Sequence, residues 1–465
     1  MRISLATLMQ EVGALSAALG SIPVAMGTPP VKISGIATHT KELQAGDLFV
    51  ALSGARYSGN DFVAEALSRG AAAVLTEQEL PPLGGNHWVL RVQNIERALL
   101  MAAGVRRRLT KARVVAVSGS TGKTTVKEII ASLLLKAGTV RKSEGNFNST
   151  VGMPLSLLQM EDADYFVLEV GINHAGEMEP LAKMLAPELA VLTNVGSAHI
   201  GHFADAKELL QEKLKLAVGQ RGEDIFLLAD SIPHDACLGV HSRMMRVGAG
   251  EGADFQLKNI INGKKGVCAD LWHGERSITG LKWHIPGSIG MSCLAIGGAV
   301  GILFGLSDEA VRSGLLQAAQ HTPRMKMLQI AGMHVIDDTY NASPEAMVTA
   351  LETLAYLSKG ACAAVLGDMG ELGMLADTLH DAVGECAAHS GISELFTYGN
   401  YSEVMAKGAL RGGMPPQRVH AFPFGGEQEL VAELLRVVPR GATVLFKASR
   451  KTALERVIEV LGREL

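Results

Sequence analysis

The stretch Arg113-Val-Val-Ala-Val-Ser-Gly-Ser-Thr-Gly-Lys-Thr-Thr-Val-Lys-Glu-Ile-Ile130 decides the architecture of the middle of the chain. Arg113 to Ser118 is an apolar, β-branched run of strand length, and from Val126 the pattern turns helical. Between them lie two glycines, a lysine and paired threonines. Strand, glycine turn and helix start, in that order, predict a phosphate loop. Gly119 and Gly122 allow the N–H groups of Ser120 and Thr121 to turn inward, and the helix N-terminus adds partial positive charge. Lys123 can offset the β- and γ-phosphates, and Thr124, followed by Thr125, offers a hydroxyl to Mg²⁺. The loop is shorter than the common eight-residue pattern, since Val117 stands at its first glycine position. A chance glycine turn is the competing reading, which the G-K-T-T core in this context disfavours. The motif predicts an ATP site and leaves the reaction open.

Working outward, Tyr165–Val170, Leu189–Thr193 and Ile225–Ala229 are further strand-like runs separated by helical stretches. That alternation predicts a mainly parallel sheet covered on both faces. The first ~110 residues carry runs at Asp47–Leu52, Ala71–Leu75 and Trp88–Val92, a Pro81–Gly85 turn and a helix over 94–109. That helix closes on Arg106-Arg107-Arg108, read as favourable charge at a helix C-terminus. From about Pro323 a third α/β unit holds strands at His334–Asp337, Cys362–Leu366, Leu395–Tyr398 and Thr443–Phe446. A chain of 465 residues accommodates about three such domains. No internal repeat is visible.

Composition narrows the class. With 48% apolar and 19% charged residues the chain reads as a globular enzyme. A formal net charge of -4 gives no global basic field for nucleic acid or an anionic membrane. Five dispersed cysteines without a C-x-x-C pair fit a reducing cytoplasm rather than a disulfide frame or zinc site. The start, Met1 to Leu5, has no signal-peptide pattern. The apolar stretch Met291–Leu306 is too short to span a bilayer and reads as a buried helix.

Two strands end in polar residues that a buried sheet would otherwise avoid. Glu169 closes one, and His199 follows Thr193-Asn-Val-Gly-Ser-Ala. Strand C-termini of a doubly wound sheet gather beside the phosphate loop, so both could converge on the nucleotide's metal. A carboxylate suits Mg²⁺; histidine is a less usual ligand, and alone His199 reads as structural. Lys213, fourteen residues on, reads by chemistry alone as solvated helix surface.

Together these motifs resemble the Mur ligase family, in the branch that adds D-alanyl-D-alanine to a UDP-linked muramoyl tripeptide. Ala45-Gly-Asp-Leu-Phe-Val-Ala-Leu52 is similar to its uridine-nucleotide domain, and Gly145-Asn-Phe-Asn-Ser-Thr-Val-Gly-Met-Pro154 to its muramoyl loop. Glu169–Glu177 and Thr193–His199 resemble its two metal-binding segments. Asp337-Asp-Thr-Tyr-Asn-Ala-Ser-Pro344, Leu366-Gly-Asp-Met-Gly-Glu-Leu-Gly373 with His380, and Lys447-Ala-Ser-Arg450 resemble segments of that branch. The resemblance implies an N-terminal mixed α/β uridine-nucleotide domain (1–110), a central doubly wound, mainly parallel ATPase domain (111–322) and a C-terminal Rossmann-like α/β domain (323–465). It implies a cytoplasmic, monomeric, ATP-dependent amide ligase of peptidoglycan synthesis that works through an acyl phosphate, with no membrane insertion.

Carried over by position, the resemblance implies two Mg²⁺ ions held by Thr124, Glu169, His199 and a carbamylated Lys213. Arg324 would meet the ATP phosphates from the C-terminal domain, so that domain closure assembles the site. Asp338 and Tyr340 would meet the nucleotide, Asn341 the incoming dipeptide, and Thr40, Lys41, Asn146, Asn148, Ser149 and Thr150 the UDP-linked substrate. Some positions depart from the family pattern. His39-Thr40-Lys41 replaces D-S-R, which removes a planar guanidinium fork from the uridine-phosphate contacts. Ile289, Gly290 and Cys293 stand at three usually polar nucleotide-holding positions, Lys215 replaces a glutamate, and His202 is unusual and reads as surface. A diverged ligase using another carrier or amino acceptor, and a non-catalytic ATP-binding partner, are the alternative functions.

Overall fold

The computed structural model describes residues 33–463 apart from 55–56, 81–87, 146, 322–324 and 359, and adds the backbone of 16–19 and 22–23. The Pro81–Gly85 turn, Asn146 and Arg324 therefore lie outside the described residues, as does the start at Met1.

Three sheets organise the chain. In the first, β1 (Ser16–Leu19), β2 (Ile22–Pro23), β3 (Ile36–Ala37), β4 (Leu48–Val50), β5 (Ala73–Thr76) and β6 (Trp88–Arg91) run in the order β2-β1-β6-β5-β4-β3. Strands β3 to β6 pair in parallel, while β1 joins β6 antiparallel.

The central sheet comprises β7 (Arg113–Ser118), β8 (Val140–Lys142), β9 (Tyr165–Glu169), β10 (Leu189–Leu192), β11 (Ile225–Ala229), β12 (Arg243–Gly248), β13 (Phe255–Gly263), β14 (Gly266–His273) and β15 (Arg276–Trp283). Its order is β15-β14-β13-β12-β11-β10-β7-β9-β8. From β8 across to β13 the pairings are parallel. Hairpins β13–β14–β15 extend it antiparallel, an extension the strand-helix rhythm did not predict. In β7, Val114 and Ala116 pack on one face and Val115 and Val117 on the other, all fully buried. Only a sheet covered twice can bury both alternating sets. One cover includes the helices Lys123–Leu134 and Gly287–Leu303. The second of these is the buried helix expected over Met291–Leu306.

The third sheet runs β16 (Lys326–Ile330), β17 (Met333–Asp338), β21 (Thr443–Lys447), β18 (Cys362–Gly367), β19 (Glu394–Tyr398) and β20 (Val419–Phe422), parallel except at the β16 edge. Among the described residues no helix is long and apolar enough to cross a membrane.

Helix-end electrostatics turns out to be a minor part of the basic run that ends the helix Ile95–Leu109. Arg106 is only 4% exposed; its guanidinium donates to the Met160 carbonyl at 3.0 Å and to Asp162 at 2.8 Å. Arg107 donates to the carbonyls of Leu185 (2.6 Å) and Ala186 (3.0 Å) and to Glu188 (3.0 Å). It thereby satisfies carbonyls left open at the end of the helix Met178–Leu185. The last helix of the N-terminal unit is thus bolted to the central sheet by two guanidinium forks. Truncating Arg106 to alanine strands a buried carbonyl and removes a charge-assisted bond, a loss of about 1–3 kcal/mol. A thermal or urea midpoint indistinguishable from the parent chain would contradict this role.

Candidate active site

The site stands at the carboxyl ends of three neighbouring parallel strands, β10, β7 and β9. Ser118 of β7 runs into the phosphate loop, and the helix Lys123–Leu134 starts directly from Gly122, whose φ of 80° is left-handed. At Gly119 a Cβ would come within 2.0 Å of Thr193 Oγ1, so only glycine lets β7 and β10 close up there. The loop is held from the β10 side. Thr193 Oγ1 donates to the Thr121 carbonyl at 2.6 Å, and Asn194 Oδ1 accepts from Ser120 N (3.1 Å) and Thr121 N (2.9 Å). Gly196 N donates to Ser120 Oγ at 2.8 Å. Lys123 Nζ donates to the Gly119 carbonyl at 2.7 Å, which keeps its charge over the loop.

Glu169 closes β9 beside the loop, 5% exposed, with both oxygens engaged. Thr124 Oγ1 donates to Oε2 at 2.9 Å and Asn148 Nδ2 to Oε1 at 2.9 Å. The sequence read Asn148 as a substrate contact; here its amide orients Glu169, which ties the 145–154 loop to the phosphate loop. Ser149 turns inward to accept from Gly152 N at 3.2 Å, and Thr150 beside it is half-buried.

Lys213 departs from the solvated surface that its chemistry alone suggested. It ends the helix Ala206–Leu214 at 1% exposure. Burial, then the nearby charge of Lys123, pulls its amine down from 10.5 to about 7. Near neutral pH a large share is therefore uncharged and nucleophilic. Lys215 does not crowd it with charge, because its ammonium pairs with Glu212 at 2.6 Å, whose other oxygen accepts from Met178 N.

His199 adopts a left-handed φ of 66° and its Nδ1 meets the carboxylate of Glu371, which comes from the third unit. That contact holds the Glu371 carboxyl below its ordinary range. A second carboxylate of that unit, Glu345, accepts from Ser197 N at 2.6 Å. His202 is exposed and sits edge-on to His174, a surface role as expected.

The other sequence-designated residues are more dispersed. Asp338 is 7% exposed and paired with the buried ammonium of Lys447, which also donates to the Asn341 carbonyl at 3.0 Å. Tyr340 and Asn341 are exposed beside it. Thr40 is buried and Lys41 exposed at the end of the first sheet. Gly290 and Cys293 face the apolar core. A Cβ at Gly290 would meet the Ile285 carbonyl at 2.0 Å, and burial pushes the Cys293 thiol up to about 12. Sequence reasoning assigned no role to Asn194, Glu345 or Glu371. Asn194 had a legible signal, as a polar residue immediately after a buried strand.

The donor set suits a hard divalent cation. A buried carboxylate, a hydroxyl and phosphate oxygens are the ligands Mg²⁺ takes. Among the described residues no three His, Cys, Asp or Glu side chains close on one point. Most of the coordination would accordingly come from nucleotide and water, with Thr124 and Glu169 among the protein groups able to supply oxygens.

Three family models match the chain: "Mur ligase family, catalytic domain" over 32–106, "Mur ligase middle domain" over 117–297, and "Mur ligase, glutamate ligase domain" over 323–450. The UDP-N-acetylmuramoyl-tripeptide--D-alanyl-D-alanine ligase of Bacillus subtilis is 31% identical over 435 residues, covering 92% of this chain and 93% of the relative. A MurF crystal structure from Acinetobacter baumannii superposes with a TM-score of 0.86 at 25% identity, covering 98% of each chain. MurF from Thermotoga maritima in complex with ADP gives 0.77 at 28% identity, covering 93% of this chain and 98% of that one.

The buried amine has a signed consequence in carbonate-free buffer. The folded value of Lys213 lies below the unfolded 10.5, so the unfolded chain binds more protons between about pH 7 and 10.5 and stability rises through that window. Relative to Lys213→Met, the parent chain should gain about 2–3 kcal/mol between pH 7 and 9. Parallel pH profiles of the two urea midpoints would refute the burial of a titrating amine.

Proposed function

The chain belongs to the Mur ligase family, and from that premise we propose that it joins D-alanyl-D-alanine to a UDP-N-acetylmuramoyl tripeptide at the expense of ATP. The observation that carries the reading is full-length likeness to ligases of this one specificity, over a site with an intact phosphate loop, Glu169 and Lys213. A carrier built on UDP and a reaction fed by ATP support a cytoplasmic location. The described groups of the candidate site come from one copy of the chain, which is compatible with a monomer.

The geometry supports an order of events. Inward N–H groups of the phosphate loop and the Lys123 ammonium hold the phosphates of ATP. Bound Mg²⁺, seated against Thr124 and Glu169, would supply further charge neutralisation at the β- and γ-phosphates. The tripeptide carboxylate, delivered along the 145–154 loop, attacks the γ-phosphorus. An oxygen–phosphorus bond forms, the bond to the β-phosphate oxygen breaks, and ADP leaves an acyl phosphate behind. The amine of the dipeptide then attacks the activated carbonyl, phosphate departs with the acyl–oxygen electron pair, and the amine gives up a proton. No side-chain nucleophile is consumed.

Lys213 is the group this chemistry needs modified. As a neutral amine it adds CO₂, forming an N–C bond and releasing a proton, and the resulting carbamate places a negative charge beside the Lys123 ammonium. The same step replaces a neutral amine, which cannot offset the Lys123 charge, with an anion that attracts it. Arg324 lies outside the described residues and is proposed as a further phosphate contact from the third unit.

The decisive test is ADP formation with ATP, Mg²⁺, UDP-muramoyl tripeptide and D-alanyl-D-alanine, leaving out each in turn. Turnover should require all four and yield the pentapeptide by mass. ATP binding without turnover would instead indicate a ligase for another acceptor or carrier. In Lys213→Ala the rate should fall at least ~100-fold, with partial recovery from short carboxylates, because an anion at this point stabilises developing charge. Unimpaired activity in that variant would remove the carbamate from the mechanism.

A further inference from the structure

One contact in the seam between the central and third units is assembled from two unusual residues. His199 has φ of 66° and Glu371 has φ of 63°, both left-handed and neither glycine. Such conformations are disfavoured for side-chain-bearing residues and persist where the surroundings over-determine them, often at functional sites. Here the two strained residues face each other. The Glu371 carboxylate meets His199 Nδ1, and the Glu371 carbonyl accepts from Gly201 N at 3.2 Å. Gly201 is packed so tightly that a Cβ would lie 2.4 Å from Gly373 N, so only glycine admits this approach. The segment gripped is the same one that bonds to the phosphate loop through Asn194 and Gly196.

A carboxylate against one ring nitrogen of a metal-side histidine has a defined consequence. It favours the proton on that nitrogen, orients the ring and leaves the lone pair on the other nitrogen for the cation. We propose that Glu371, carried by the third unit, is a positioning residue that holds His199 in its Nδ1–H tautomer with Nε2 aimed at the nucleotide's metal. The inference rests on the reading of His199 as a metal-side residue. It makes the metal site complete only when the third unit is seated on the 196–202 segment, so the acceptor-side unit is sensed at the ATP site. Glu345, accepting from Ser197 N four residues from the Gly201 contact, anchors the other end of the same segment.

The test uses the full chain and Mn²⁺ as the probe, titrated by electron paramagnetic resonance in the presence of ADP. Glu371→Ala should weaken Mn²⁺ binding about 10–100-fold. Glu371→Gln, which keeps an acceptor oxygen, should restore most of it. ADP affinity in chelator should stay at the parent value in both, separating lost orientation from a collapsed seam. In ¹⁵N spectra of the metal-free protein, the His199 ring should read as the Nδ1–H tautomer in the parent and shift toward Nε2–H in Glu371→Ala. Parent-like Mn²⁺ binding in Glu371→Ala, or an Nε2–H tautomer in the parent, overturns the proposal. His199→Ala is the control: if it also leaves Mn²⁺ binding untouched, the metal-side reading of His199 fails. If it weakens Mn²⁺ binding while Glu371→Ala does not, the positioning role alone fails.

Discussion

Two lysines at one end of a sheet set the terms for everything around them. Lys123 is fixed over the phosphate loop by the Gly119 carbonyl, and Lys213 is buried within range of its charge with its amine pulled to about 7. Burial above all, with the Lys123 charge adding to it, disfavours a second ammonium and leaves Lys213 largely neutral. What remains is a sheet end with one permanent cation, one largely neutral amine and a buried carboxylate. Under the proposed function these complement the phosphates and a divalent cation.

Around that electrostatic centre the backbone acts as a frame. Glu169 joins the phosphate loop to the 145–154 loop through Thr124 and Asn148, so the two loops share one carboxylate. Asn194 and Thr193 join the phosphate loop to the segment that the third unit grips. The two strand ends flanking β7 therefore tie the phosphate loop in two directions, one to the 145–154 loop and one to the 196–202 segment.

The legible part of the sequence was whatever rests on local pattern. The run Arg113–Ile130 announces strand, turn and helix because period and glycine spacing are set within eighteen residues. Buried strands such as Ile225–Ala229 read through because both faces are apolar. The hairpins β13–β15 did not, since a half-exposed antiparallel meander mixes polar and apolar residues and its partner choice is non-local. Lys213 illustrates the same limit at the site. A lysine on a helix carries no mark of burial, and only packing against the central sheet seals it. Glu371 and Glu345 were equally silent, because their partners lie 172 and 148 residues away in the chain. Arg106 and Arg107 were visible as a basic run, while the carbonyls they reach were not.

Those two arginines also impose a metric on the molecule. They tie the helix Ile95–Leu109 to the connections that lead into β9 and β10, and so set the span from the first unit to the phosphate loop in this structure. Under the proposed function, the uridine end of the carrier would be moored at one end of that span and the reacting carboxylate would have to arrive at the other. On that reading the enzyme would act as a gauge for peptide length: a stem one residue short would leave its carboxylate away from the γ-phosphate, however tightly its uridine is held. Selection of a tripeptide over a dipeptide would follow from rigidity between two units, with no pocket needed to count residues.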